Sequence, residues 1–320
     1  MHVVILMPLR DDWTSASELI SQLDKALTGH PASFEILLVD DGSVEKGDPA
    51  AFSGPYWAVG RIRVLRLRRN LGHQRAIAVG LAYLEGNVPC DAVLVMDSDG
   101  EDTPDGVLQL LRAFTENQGA KVVFAERSRR SESLSFRCFY KCYKVTHRCL
   151  TGVSVRVGNF SILPAASLGT LVVVSETWNH YAAAVFRSKL PFTMVPIPRG
   201  HRIAGASQMN FVGLVSHGLS AISVFGDVVG VRLLITSIAA SIVAGIGILI
   251  VVGERFFTDR AIPGWATSAA GALAIMIIQL ISIAASFTFF VLSSRTNFGF
   301  IPCRDYSLFV AGTTDFYPHD

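Results

Sequence analysis

The chain has 320 residues, half of them hydrophobic, with 28 lysines and arginines against 26 aspartates and glutamates. A formal net charge of +2 gives no strong pull on nucleic acid. Five cysteines without a pairing pattern exclude a disulfide scaffold and fit a reducing compartment.

In chain order, HVVILMPL (2–9) predicts a buried strand, and it is too short an apolar run for a signal peptide. SASELISQLDKALTG (15–29) has the spacing of an amphipathic helix stopped by glycine. FEILLVD (34–40) predicts a second strand, ended by Asp41, Gly42 and Ser43. IRVLRLRR (62–69) predicts a third, followed by the helix HQRAIAVGLAYLEG (73–86). DAVLVMD (91–97) predicts a fourth, then GEDTPDG and the helix VLQLLRAFTEN (107–117), and AKVVFAE (120–126) a fifth. Such alternation argues an α/β domain with a mostly parallel sheet covered on both faces. Ligands of these sheets bind beyond the carboxyl ends of the strands.

Beyond the fifth strand the chain changes character. SESLSFRCFYKCYKVTHRCL (131–150) mixes aromatics with Arg137, Lys141, Lys144 and Arg148, the composition of either a surface helix or a helix at a membrane interface. Cys138 and Cys142 share a helix face there, but no second pair completes a zinc site. Residues 207–232 are poor in charge and read as an interfacial or oligomer-contact helix. Residues 233–252 and 266–292 carry no charge, and about 20 helical residues cross the roughly 30 Å core of a bilayer. They read as a transmembrane hairpin, leaving 293–320 as a C-terminal tail that possesses room to pack on the interfacial helices. The arginines flanking the spans lean slightly toward a cytoplasmic catalytic domain (1–206) in a bacterial inner membrane.

The chemistry sits at strand ends. Asp97, Asp99 and Glu101 place carboxylates at every second position of MDSDGED. Crowded like charges call for a cation between them, and Mg²⁺ or Mn²⁺ takes one or two carboxylates plus substrate phosphates. Asp40 and Asp41 end the second strand, so both acidic turns converge at one edge of the sheet. In RRNLGHQRAIAVGL (68–81), Gly72 lets backbone approach a ligand, Asn70 can bond it, and Arg69 and Arg75 add positive charge. A helix start with solvated arginines is the plain alternative, and His73 takes a local hydrogen-bonding role.

These motifs together resemble family 2 glycosyltransferases, which have the GT-A fold, over roughly residues 3–210. The Asn-x-Gly after strand three and Arg202, Gly205 and Ser207 in RGHRIAGASQM (199–209) resemble the dolichyl-phosphate mannosyltransferase-like branch. The resemblance implies that Asp40 and Asp41 hold the nucleoside, Asp97, Asp99 and Glu101 the metal–diphosphate, and Arg202 and Ser207 the donor diphosphate. It also implies that Arg127 and Arg137 hold an acceptor phosphate. Gln208 stands where that branch carries lysine, which puts more weight on Arg202. Glu176 and Trp178 fall where such enzymes line the acceptor side. The Gln-x-x-Arg-Trp motif of processive synthases is absent. The implied reaction is inverting transfer of a sugar from a UDP- or GDP-sugar to polyprenyl (undecaprenyl) phosphate at a lipid bilayer, and bacterial relatives of this layout form homo-oligomers, with a tetramer among the options. Two rivals stay open: a transferase to another lipid or glycan alcohol, with Glu176 or Asp102 as base, and a catalytically silent scaffold.

Overall fold

The computed structural model describes residues 1–127, 145–152, 157–204, 211–258, 264–296 and 299–318. The described chain divides into two units. One holds 1–140, 155–224 and 299–320, the other 141–154 and 225–298.

The first unit is built on one eight-stranded sheet. The strands β1 (His2–Leu9), β2 (Ser33–Asp40), β3 (Val59–Leu67), β4 (Ala92–Val95), β5 (Val122–Arg127), β6 (Val157–Pro164), β7 (Phe192–Ile197) and β8 (Val310–Tyr317) lie in the order β7-β5-β6-β4-β1-β2-β3-β8. The β1–β2, β2–β3, β1–β4 and β5–β7 pairs are parallel. β6 runs antiparallel to both β4 and β5, and β8 antiparallel to β3. All five expected strands form.

β1 reads as a continuous apolar run because both faces of the sheet are covered. Val3, Ile5 and Met7 face one core together with Leu19, Ile20 and Leu23 of helix α1 (Trp13–Leu27) and Val107, Leu110 and Leu111 of α3 (Pro104–Glu116). Val4 and Leu6 face the other core, with Ile77, Leu81 and Leu84 of α2 (His73–Asn87). α2 lies so close to the sheet that a Cβ on Gly80 would meet Leu6 at 2.7 Å and Val39 at 2.9 Å. α3 starts where TPDG says it should. The Thr103 hydroxyl accepts the Gly106 N–H at 3.2 Å, Pro104 opens the helix and Asp105 lies in its first turn.

The strand order fixes where the polar loops meet. β1 connects outward through β2 and β3, and the chain then returns to the other side of β1 as β4. The crevice between the ends of β1 and β4 is therefore a topological switch point.

The C-terminal segment differs from expectation. It does not stay a separate tail, because residues 310–317 pair with β3 as the sheet's last strand. Its Asp315 accepts from Arg63 Nε at 2.9 Å and lies 3.7 Å from Arg61 Nε, neutralising two arginines of β3. β6 and β7 were likewise not expected; β7 is six residues long, contains a proline and alternates little in polarity.

The second unit contains two 32-residue helices, Gly226–Phe257 and Trp265–Thr296, here α6 and α7. At 1.5 Å per residue each is about 48 Å long, so each exceeds the hydrocarbon core. Only 17% and 6% of their most apolar windows are buried, which is unlike helices of a soluble core. The two helices are long and apolar enough to cross a membrane. They meet along a seam with a repeat of seven: Gly230, Ser237, Ala244 and Val251. A Cβ at Gly230 would strike Val291 at 2.9 Å, so glycine permits the close approach. The segment expected as one helix over 207–232 is divided: a helix spans Phe211–Ser223, and 226–232 belong to α6. Of the expected helix at 131–150, residues 145–150 are helical and 128–144 lie outside the described residues, with Cys138 and Cys142 among them. The Arg232 guanidinium donates to the carbonyls of Cys149 (2.6 Å) and Arg148 (3.4 Å), capping that helix where Gly152 turns away with φ +79°.

Candidate active site

Three loops meet at the carboxyl ends of β1, β2 and β4. The first corner joins 40–43 to 69–72. Asp41, 4% exposed, accepts the Leu71 N–H with one oxygen (2.6 Å) and the Gly72 N–H with the other (2.8 Å). Burial pushes its carboxyl pKa up, while those two N–H groups pull it back. The loops touch so closely that a Cβ on Gly42 would come within 2.6 Å of the Asn70 nitrogen, and Gly42 sits at φ +67°. Asp41 was expected among the ligand-binding residues. Both its oxygens are engaged by backbone, so it frames the pocket. Asp40, 7% exposed, accepts the Ser43 N–H at 2.9 Å, while Asn70 and Gly72 are exposed beside it.

The second corner joins 97–103 to 199–203. Ile203 N–H donates to the Asp99 carbonyl (3.0 Å) and Gly200 N–H to the Glu101 carbonyl (2.8 Å), so the later loop lies along the acidic turn. Gly100 at φ +86° and Gly200 make room for this, since a Cβ would meet Ile203 or Thr103 at 2.5 and 2.4 Å. Arg202 is held between two carboxylates, with Nη2 2.9 Å from Asp12 and Nη1 3.6 Å from Asp99. Arg199 is ion-paired with Glu101. The Asp99 pKa is raised by burial and by the Asp97 charge, against the pull of Arg202 and Arg199.

His73, at the start of α2, links the corners. Its Nε2 is 3.2 Å from Asp97 Oδ1 and 2.9 Å from Asn159 Nδ2 on β6. Burial would lower its pKa, but Asp97 chiefly, then Asp102 and Asp99, raise it. Asp102 is buried and accepts the Asp97 N–H at 2.9 Å, which aims the turn.

Asp97 and Asp99 project at the end of β4 with 24% and 16% side-chain exposure, a donor set that fits a hard divalent cation completed by phosphate oxygens. Glu101, the third expected oxygen, turns its carboxylate to Arg199, as Asp99 turns one oxygen to Arg202. Among the described residues no three His, Cys, Asp or Glu side chains cluster as a metal cage. Arg75 also departs from its expected place: its guanidinium lies 5.1 Å over the Trp178 ring. Glu176 is paired with Arg187 at 2.9 Å. Arg127 ends β5 opposite Ile197. Ser207, Gly205, Gln208 and Arg137 lie outside the described residues.

Two participants were missed from sequence, Asp12 and Arg199. RDD after the first strand has the same form as the other two acidic strand ends, and that likeness was the available signal.

Comparison with known proteins agrees with this geometry. The profile described as "Glycosyl transferase family 2" matches residues 5–166. The chain is 24% identical over 295 residues to the uncharacterized glycosyltransferase YkcC of Bacillus subtilis (strain 168), covering 87% of this chain and 82% of that one. It is 25% identical over 220 residues to the undecaprenyl-phosphate 4-deoxy-4-formamido-L-arabinose transferase of Salmonella choleraesuis (strain SC-B67), covering 67% of this chain and 64% of that protein's length. Among solved structures, glucosyl-3-phosphoglycerate synthase from Mycobacterium tuberculosis, in complex with Mn²⁺, UDP-glucose and phosphoglyceric acid, superposes with a TM-score of 0.50 at 14% identity, over 72% of this chain and 80% of that one. The sheet and its helices are thus of the GT-A type.

Proposed function

The chain belongs to glycosyl transferase family 2, and on that footing we propose that it is a membrane-bound inverting transferase moving a sugar from a nucleotide-sugar to polyprenyl phosphate. The observation that carries the reading is the pairing of Asp99 with Arg202, two residues from Asp97, at the β1/β4 switch point in a chain that also has two membrane-length apolar helices. The name of the Salmonella relative points the same way.

Asp97 and Asp99 are the residues that would hold Mg²⁺ or Mn²⁺. Such a cation supplies neutralisation of the charge that gathers on a departing diphosphate. Arg202 is placed to contribute to the same end, since a guanidinium suits phosphate oxygens. The buried Asp40 and the exposed Asn70, beside the Asp41-framed loop, are the residues on which a nucleoside would rest. A phosphate oxygen of the acceptor forms the new bond to the anomeric carbon as the bond to the nucleoside diphosphate breaks on the opposite face. A phosphate is already ionised near neutral pH, so no general base is required. Transfer to an alcohol would require one, and the carboxylates best placed by sequence are occupied: Glu176 by Arg187 and Asp102 by the Asp97 N–H. Arg127 and Arg137 are proposed for the acceptor phosphate, and Ser207 for the donor.

Purified protein given polyprenyl phosphate, Mn²⁺ or Mg²⁺ and a panel of labelled nucleotide-sugars is expected to yield an organic-soluble labelled product. Transfer to a soluble alcohol with none to the lipid overturns the acceptor assignment.

A further inference from the structure

One surface of the first unit is not used by the reaction above. The half-buried Trp178 packs on Phe300 at a tilt of 35° with ring centroids 3.7 Å apart and lies 5.2 Å from Phe309. Arg75 covers the same indole. Arg68 N–H donates to the Phe309 carbonyl at 2.8 Å, which ties the exposed Arg68–Arg69 pair to the cluster. Leu308, next to Phe309, is 68% exposed. Arg68, Arg69 and Arg75 have no carboxylate partner among the described residues, while the nearby Glu176 and Asp305 are each taken by another arginine.

Building on the reading of the chain as a membrane-bound transferase, we infer that this aromatic and arginine patch is a docking surface for anionic lipid headgroups. Three observations select that occupant. Aromatic rings with arginines around them are the composition of the bilayer interface, where one end of the side chain is apolar and the other wet. Unpaired cationic charge complements an anionic leaflet, and each arginine near such a surface contributes about 1 kcal/mol, a factor of roughly five. The patch is also continuous in sequence with a membrane-length helix, because only residues 297–299 separate Thr296, the end of α7, from Phe300. The surface differs from an acceptor-phosphate site in being broad and partly apolar, with Leu308 exposed.

The test uses the full chain in nanodiscs of phosphatidylcholine with or without phosphatidylglycerol, and a headgroup nitroxide lipid as quencher. Trp178 is isolated as the fluorescence difference between native protein and Trp178→Phe. The expected result is strong quenching of Trp178 in phosphatidylglycerol discs, weaker quenching in phosphatidylcholine alone, and a marked drop in the Arg68→Gln/Leu308→Ser variant. Donor hydrolysis by that variant should match native protein, which checks folding. Equal quenching in both lipids, or none, overturns the assignment. So does quenching that needs polyprenyl phosphate, which would make the patch part of the acceptor site, and so does loss of quenching on adding free inorganic phosphate, which would make it a small-anion site. Assaying lipid-linked product in the same discs separates a failure of this surface from a failure of the transferase reading.

Discussion

The two corners of the site use the same residue type for opposite ends. At 40–43 against 69–72, the Asp41 carboxylate is buried and both its oxygens are bonded to backbone N–H groups. At 97–103 against 199–203, backbone bonds hold the loops together; Asp99 accepts the Glu101 N–H with one oxygen and turns the other to Arg202, and Glu101 faces Arg199. A carboxylate bonded to main chain cannot leave without unmaking the fold. An oxygen facing an arginine side chain can be released when a phosphate arrives, because the phosphate offers that guanidinium another anion. The first corner is therefore frame, and the second is where charge can be rearranged when a diphosphate arrives.

That contrast can be broken at several points. The largest effect is expected for Asp97→Ala with Asp99→Ala, which should lower sugar transfer by about 10³-fold or more with the melting temperature nearly unchanged. Chelation of divalent ions should act in the same direction, and full turnover of either preparation would remove the second corner from catalysis. Next, Arg202→Ala should reduce kcat by about 10²-fold, with Arg202→Lys recovering part of it, since lysine keeps the charge and loses the fork. Steady-state kinetics in a detergent or lipid assay read both.

A smaller change in a different observable is expected for Asp41→Ala. It leaves the buried Leu71 N–H without its acceptor, which costs about 1–3 kcal/mol. Thermal unfolding should therefore shift down by several degrees, with loss of nucleotide affinity following from a loosened 69–72 loop. Undiminished stability with lost turnover would show Asp41 to be a ligand and erase the distinction. The smallest effect is assigned to Glu101→Gln, which frees Arg199 and should change donor KM by less than about fivefold. A collapse of activity there would return Glu101 to the metal set.

Much of this was legible in the sequence, for physical reasons that differ by element. The first five strands announce themselves because a strand buried on both faces is an unbroken apolar run stopped by Asp-Gly turns. The two apolar helices do so because core helices of soluble proteins rarely run that long without a charge. The acidic turn at 97–101 was readable as a site, but which carboxylate points where was not. Asp41 and Glu101 are one or two residues from ligands-in-waiting, and only their partners, Leu71 N–H and Arg199, decide their direction. β8 was illegible because VAGTTDFY has no unbroken apolar run and its middle, Ala311 to Thr314, is exposed. Its pairing with β3 bridges some 250 residues, as the Arg63–Asp315 contact shows at a separation of 252. No local pattern encodes such a partner.

The origin of β8 has a consequence for how the molecule is made. A ribosome delivers β3 early, and β8 only after both apolar helices have emerged. Until then β3 has a bare edge, whose unpaired peptide groups are open to wrong pairings. The sheet is thus sealed only once the chain beyond both apolar helices is translated, and nascent protein stalled within those helices carries an unfinished transferase.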